Sequence, residues 1–434
     1  MEIKKGGVVS KLLADVKLPN MFRAKQDFPR PYIKPDEIKT IVAREIAKPE
    51  IAATIKPGMR IAITAGSRGV ANVAIITRAI VDEVKVRGAC PFVVTAMGSH
   101  GGAVAEGQQK VLASFGITEE TMGCPIMADM ESIELGVTEA GRKVFFDKIA
   151  CEADGIIVSC RIKPHNAFRG SIESGICKMM VVGLGNQRGA EAVHKAGMAK
   201  MHENLPLAAK VILEKAPILF AIPCIENAYD ETCLIEAVPR QNILQREPEL
   251  LKYAFECMPS LIVGECDVLV IDEIGKNYSG TGTDPNITGT FSNDFMQGGV
   301  KVQRTCMLDV SDESDGNCLG TGLASAISKR LYNKIDLEKM YPNIITSTVL
   351  KSANIPAVLA DDKETVQFCI KTCNDADEAN MKIIRIKNSL HIGDIMLSAA
   401  YYNDVLAGKY RGVTAIDEPK PLEFDKNGNL LTRI

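Results

Sequence analysis

The chain has 434 residues, enough for two or more domains, with 46% hydrophobic and 24% charged residues, as in an ordinary globular protein. A net charge of −3, with no basic stripe interleaved with aromatics, offers no electrostatic case for nucleic acid. The first residues, MEIKKGGVVSKLLADVKLPN, hold no apolar run suited to a signal-peptide core. No stretch approaches the ~20 apolar residues that span a bilayer, so a cytoplasmic location is expected. The 13 cysteines, an odd number spread over a long chain, read as reduced and mostly buried thiols. Cys369 and Cys373, like Cys257 and Cys266, lack a matching pair at zinc-site spacing, so no structural zinc is expected.

Apolar runs alternate with helical patterns, which predicts an α/β fold with mostly parallel strands. Residues 36–48 pattern as an amphipathic helix. Gly58-Met59-Arg60-Ile61-Ala62-Ile63-Thr64 reads as a buried strand, followed by a loop over 65–69 and helical spacing over 72–87. The pattern repeats with a strand over 91–97, the loop Gly98-Ser99-His100-Gly101-Gly102 and a helix over 103–115. A strand over 153–160 exits through Arg161-Ile162-Lys163-Pro164-His165 into a glycine- and methionine-rich segment, 168–189. In a second region, a strand over 266–272 exits into a polar, turn-rich stretch over 273–286. A strand over 305–310 and a helix over 322–332 come next. The expected organisation is two α/β domains with mostly parallel sheets and the active site in the cleft between them. Residues 1–257 form the catalytic and cofactor-binding domain and 258–405 the second. A tail, 406–434, packs over the surface or returns to the first domain. There is no internal repeat or low-complexity tract.

Ligands of open parallel sheets bind beyond the carboxyl ends of the strands. Periodicity alone puts Arg68, His100, His165 and Lys276 there, and the other histidines are His194, His202 and His391. Each also has a plainer reading, since a lone histidine at a strand end is commonly a cap or surface residue. The loop Gly98 to Gly102 is either a tight turn or a cradle of backbone N–H groups suited to phosphate, without the Lys-Ser/Thr ending of a P-loop. Lys178 sits in the apolar run Ser174-Gly175-Ile176-Cys177-Lys178-Met179-Met180-Val181-Val182-Gly183. It is either a neutral, nucleophilic amine created by burial or a lysine that snorkels to the surface. His194 lies beyond Gly183, Gly185 and Gly189, off any unbroken helix with Lys178, and by pattern alone reads as an exposed helical histidine. Asp284 and Asn286 could contact a polar substrate or simply make a turn.

With these residues in view, the chain resembles the nickel-dependent lactate racemase family and its 2-hydroxy-acid racemase and epimerase relatives. The resemblance covers most of the chain and is strongest from residue 58 to 200. It is carried by Ser67-Arg68 in a strand-end loop, His100 in Gly98-Ser99-His100-Gly101, Pro164-His165 after a later strand, Lys178, and His194 sixteen residues further. It implies an isomerase that inverts a 2-hydroxy acid by hydride transfer to a nickel-pincer nucleotide. That cofactor is pyridinium-3-thioamide-5-thiocarboxylic acid mononucleotide, attached covalently to Lys178. The resemblance also makes His194 the nickel ligand, and imidazole with soft sulfur in a planar arrangement suits Ni(II). His100 and His165 become alternating general base and acid on the substrate hydroxyl, for which a pKa near ~6.5 is suited. Arg68 and Lys276 become binders of the substrate carboxylate or cofactor phosphate, and Gly98, Ser99 and Gly101 help to hold that phosphate. The implied partners are a small 2-hydroxy acid and the cofactor-synthesis enzymes, with a homo-oligomer open and neither nucleic acid nor membrane indicated.

The chain departs from the family pattern twice. Ala65 stands where the family has an aspartate three residues before the loop arginine, an acid that would support a catalytic histidine. The stretch between His165 and Lys178 is a few residues longer than in lactate racemases. These departures mark a divergent branch whose substrate need not be lactate. Two other readings stay open here: a lysine-dependent enzyme on hydroxy or keto acids without nickel, and a non-catalytic relative that binds a small acid or nucleotide.

Overall fold

Runs such as Ile61-Ala62-Ile63-Thr64-Ala65 and Phe92-Val93-Val94-Thr95 are buried along their whole length, as parallel strands covered on both faces must be. The computed structural model describes residues 4–67, 69–432 and 434, and of Thr346 the backbone only. In chain order the strands are β1 (Met21–Gln26), β2 (Arg60–Ala65), β3 (Cys90–Thr95), β4 (Ile126–Met127), β5 (Ser132–Val137), β6 (Lys143–Asp147), β7 (Gly155–Arg161), β8 (Ile218–Glu226), β9 (Thr232–Ile235), β10 (Val238–Pro239), β11 (Glu265–Ile271), β12 (Lys301–Met307), β13 (Ala326–Ser328), β14 (Ala357–Leu359), β15 (Ile383–Ile386), β16 (Asp394–Ser398) and β17 (Val413–Ala415).

The chain forms two compact units, Pro29–Met258 and Met1–Phe28 with Pro259–Ile434. In the first, the sheet order is β10-β8-β7-β2-β3-β4, with β9 also on β8. Neighbours from β8 to β4 are parallel, while β9 and β10 run antiparallel to β8. Alternate residues feed two cores, because side chains of a strand point to opposite faces. Ile61 and Ile63 join Ile38, Val42, Ile80 and Val84 under the helices Pro35–Ile46 and Val73–Val86. Ala62, Phe92 and Val158 join Met180, Leu205 and Ile212 under the helices Met201–Lys215 and Ile243–Cys257. The predicted helices 36–48, 72–87 and 103–115 thus appear as Pro35–Ile46, Val73–Val86 and Ala105–Ser114.

The second unit holds a mixed sheet in the order β14-β13-β12-β11-β15-β16-β1-β17, parallel from β14 to β15 and antiparallel from there to β17. Several expected bounds change here. The first 28 residues belong to this unit and not to the N-terminal domain, because β1 pairs with β16 and β17. The tail stays in the same unit, with β17 on β1 and a bridge between Met21 and Lys420. The helix read over 322–332 is instead a 3-10 turn Thr321–Leu323, the strand β13 and a helix Lys329–Asn333. Ala326 and Ile327 are buried between β12 and β14, and the Ser328 hydroxyl caps the helix by accepting from the Leu331 N–H. The strand read over 305–310 starts earlier, at Lys301. The thirteen cysteines are free thiols, most of them buried. Among the described residues no helix is long and apolar enough to cross a membrane.

Candidate active site

Because β2, β3, β7 and β8 are parallel, their carboxyl ends share one edge of the sheet. The loop after β2 carries Ser67, while Arg68 lies outside the described residues. Its far end is pinned by the exit of β8: the Ala71 N–H donates to Glu226 at 2.6 Å, and Glu226 is also paired with Arg161. Asn72, at φ 59°, donates from its amide to the Thr232 hydroxyl at 3.0 Å.

After β3, Gly98 and Gly101 are required by close approach as well as by positive φ. A Cβ on Gly98 would lie 3.0 Å from the Val182 carbonyl, and one on Gly101 2.7 Å from the Gln108 nitrogen. The buried Gln108 side chain donates to the carbonyls of Gly98, at 3.1 Å, and His100, at 3.4 Å. The Gly98 N–H is committed to the Gly183 carbonyl at 3.0 Å. It therefore offers no amide to a phosphate, and the cradle read over Gly98, Ser99 and Gly101 loses that donor. His100 is exposed at the rim, with Nδ1 2.9 Å from the Met97 carbonyl. That carbonyl orients the ring without adding a charge, whereas Ala65, a buried methyl, supplies no carboxylate.

After β7, His165 is half-buried, its ring 4.3 Å from that of Phe168. Its Nδ1 accepts from the Ala167 N–H at 3.0 Å, and its own N–H donates to Glu173 at 2.6 Å. Lys178, also half-buried, ends the short helix Ile176–Lys178, which runs on into a π-helical turn, Met179–Gly183. That turn is the surface on which the other loops close: Gly98 docks on Gly183, and a Cβ on Gly66 would lie 3.0 Å from the Met179 methyl. His194 ends a separate helix, Asn186–His194. The break is Asn186 at φ 53°, fully buried, whose amide donates to Asp147 at 2.9 Å. Burial pushes the Asp147 carboxyl up to about 6.

The histidine Nδ1 of His194 lies 2.6 Å from the Ala190 carbonyl, so it donates and leaves the Nε2 lone pair for a ligand. Burial lowers the pKa of His194, and the Lys178 ammonium lowers it further. His165 is driven well below the ordinary histidine range by burial first, then by the charges of Lys178, Lys163, His194 and Arg169. His165, Lys178 and His194 thus share one electrostatic neighbourhood, with the His100 loop packed on the turn after Lys178. Lys276 belongs to the other unit, where its ammonium donates to the Gly280 carbonyl at 2.7 Å and its N–H to Ser314 at 2.9 Å. Asp284 accepts from the Asn286 N–H at 3.0 Å and from its side-chain amide at 2.8 Å, which is the turn reading of Asp284-Pro285-Asn286. Among the described residues, no three His, Cys, Asp or Glu side chains are grouped to hold a metal.

Several supporting residues escaped the sequence reading: Gln108, Arg169, Glu173, Asn186 and Glu247. Only the i,i+4 spacing of Arg169 and Glu173 carried a local signal. Glu247 reaches from the helix Ile243–Cys257 to accept the Cys177 N–H at 2.9 Å, one residue before Lys178. Its other oxygen, Oε1, has no hydrogen-bond partner among the described residues, and burial pushes the carboxyl up to about 7 from 4.5. A carboxyl raised on folding contributes stability that is full below about 4.5 and lost as pH rises through about 7. Glu247→Gln is therefore expected to gain up to about 3 kcal/mol relative to wild type at pH 8 and nothing at pH 4. Urea denaturation at the two pH values measures this, and equal differences at both would contradict it.

A parallel sheet whose carboxyl edge gathers two histidines, a lysine and a third histidine defines the class: an α/β protein with an enzyme-like site. The comparisons refine this. Residues 9–205 match the family model for the lactate racemase N-terminal domain. Over that segment the chain is similar to the lactate racemase N-terminal domain, which is where its sequence motifs lie. Among solved structures it is similar to the lactate racemase apoprotein from Thermoanaerobacterium thermosaccharolyticum, at 17% identity and a TM-score of 0.51, over 79% of this chain and 89% of that one. At that identity the likeness concerns the fold. No curated protein matches the chain.

Proposed function

We propose that this protein is a racemase or epimerase of a 2-hydroxy acid, working with a nickel-pincer pyridinium mononucleotide tethered to Lys178. The observation that supports this reading is the neighbourhood of Lys178, His165 and His194 within a lactate racemase N-terminal domain. The residues present fit the group. Lys178 is a half-buried amine at the head of a tight turn, suited to a covalent tether. His194 donates its Nδ1 proton to a backbone carbonyl, the arrangement that metal-bound imidazoles use, and so presents Nε2 to nickel. When bound, the group supplies the hydride acceptor that inversion of an unactivated Cα–H bond requires.

The remaining roles fall to the chain. His100 and His165 take and return the hydroxyl proton. The glycines at 98 and 183 let the loop after β3 pack closely on the turn beside Lys178. Arg68 and Lys276 are the proposed anion binders; Lys276 would use ammonium protons other than the one given to Gly280. The substrate is a small 2-hydroxy acid, the cofactor-synthesis enzymes are the partners, and the location is cytoplasmic.

The test is co-expression with enzymes that make the cofactor, followed by intact mass, nickel analysis and a chiral screen over 2-hydroxy acids. An adduct on Lys178, one nickel per chain and inversion of at least one acid are expected. An unmodified Lys178 without nickel or inversion would overturn the reading. Borohydride trapping of a keto acid on Lys178 would instead identify a Schiff-base enzyme.

A further inference from the structure

We infer that the two carboxyl-edge histidines are held as opposite tautomers, and that Glu173 and Arg169 are positioning residues that fix His165 in its form. The inference rests on the function proposed above for its kinetic consequence, but not for its geometry.

A backbone carbonyl only accepts a hydrogen bond, and a backbone amide only donates one. Nδ1 of His100 lies 2.9 Å from the Met97 carbonyl, so the ring proton of neutral His100 sits on Nδ1 and Nε2 carries the lone pair. Nδ1 of His165 lies 3.0 Å from the Ala167 nitrogen, so it carries the lone pair and the proton sits on Nε2. The same atom of each ring thus has opposite character: His100 accepts at Nε2 and His165 donates there.

The His165 form depends on a sharp turn that brings the Ala167 amide back over the ring. Glu173, 1% exposed, holds that turn from inside. One of its oxygens accepts the His165 N–H at 2.6 Å and the other the Gly170 N–H at 3.3 Å. Arg169 closes the turn by donating to the His165 carbonyl at 2.7 Å and to Glu173 at 3.3 Å. Its guanidinium lies 5.3 Å from the centre of the Phe255 ring, which packs it in place. The Phe168 ring, 4.3 Å from the imidazole, hinders the ring flip that would exchange Nδ1 for a carbon. All of these residues but Phe255 lie in the one stretch between His165 and Lys178.

The consequence concerns binding. In these neutral resting forms a substrate hydroxyl donates to Nε2 of His100 and accepts from Nε2 of His165, and His165 takes the hydroxyl proton only from its other tautomer, at the cost of the Ala167 contact. The two stereoisomers are therefore bound inequivalently, and their kcat and KM values differ even where the equilibrium ties the ratios kcat/KM together.

The test uses full-length protein labelled with 15N-histidine, without cofactor, at about pH 9, above the ordinary histidine range. Long-range 1H–15N correlation spectra, assigned with His100→Gln and His165→Gln, should show a protonated Nδ1 in His100 and a protonated Nε2 in His165. Glu173→Ala and Arg169→Ala should move His165 alone toward a tautomer average, and Glu173→Gln, which keeps an acceptor for the His165 amide, should restore most of the wild-type pattern. In loaded enzyme Glu173→Ala should lower kcat by about 10- to 100-fold, the scale for a misplaced catalytic group, with a smaller change in KM. The same tautomer in both wild-type rings, or an unmoved His165 in both alanine variants, would overturn the inference. If either alanine variant fails to fold, the wild-type spectrum still decides the tautomers, and Glu173→Gln with Arg169→Lys decides the clamp. The spectra need no turnover, so a failure of the proposed function would leave them unchanged.

Discussion

Lys178→Met should leave the protein folded, carry no adduct after co-expression with cofactor-synthesis enzymes, and reduce inversion to background, a loss of at least about 1,000-fold. A tether and a general-acid side chain differ in this respect. Losing one positioned proton-transfer group typically costs about 100- to 10,000-fold, whereas under the proposed function losing the attachment point removes the hydride acceptor altogether. Methionine preserves the length and volume of the lysine stem in a half-buried site, so packing around the turn Met179–Gly183 is retained. The substitution also has an effect in unloaded protein. The Lys178 ammonium is one of the charges that hold His165 below its ordinary range, second to burial. Removing it should raise the His165 pKa part of the way back, because burial persists, and it should raise His194 in the same direction. Histidine C–H chemical shifts followed against pH measure this without cofactor. A variant that still inverts substrate, or an adduct found on another lysine, would contradict the tether. A His165 titration that does not move would contradict the shared neighbourhood.

The parts of this site that were legible in sequence are those set by local physics. A parallel strand buried on both faces must be a short apolar run, and the chain must turn where that run ends, so His100 and His165 could be placed at strand exits from period alone. The break between Lys178 and His194 was also visible in the glycines between them. Its real cause was not: a π-helical turn and an asparagine at positive φ tied to Asp147 leave no composition signature. Long-range support was hidden for the same reason. Glu247 reaches Cys177 across 70 residues, and β1 pairs with strands nearly the whole chain away, contacts that no window detects. β8 carries Pro223 as a central strand residue, against the usual rule, and tolerates it while pairing with β7 on one side and the short β9 and β10 on the other. Ala65 is the instructive case. Read as a missing carboxylate it put the orientation of a histidine in doubt, yet the Met97 carbonyl orients His100 within its own loop. What Ala65 leaves out is a charge, and not the orientation of the ring.

Arg385→Met is expected to cost about 3–5 kcal/mol, because it strips a bidentate cation from a buried carboxylate. Arg385 and Asp272 are each 1% exposed and joined by two parallel bonds of 2.7 and 2.8 Å. The guanidinium also donates to the Thr432 carbonyl at 2.6 Å, and Asp272 accepts the Ile434 N–H at 3.2 Å, so the pair clamps the end of the tail to the sheet between β11 and β15. Two charges taken out of water gain little net free energy from each other, but removing one of them leaves the desolvation cost of the other without that compensation. The double variant Asp272→Leu/Arg385→Met removes both charges and should recover most of the loss, falling short by what the two tail bonds contribute, about 1 kcal/mol each. Urea unfolding of the single and double variants separates the cases. If the single variant loses less than about 1 kcal/mol, the carboxylate has another counter-charge or stays protonated. If the double variant is as unstable as the single one, the pair acts through packing of the long arginine stem and not through its charge.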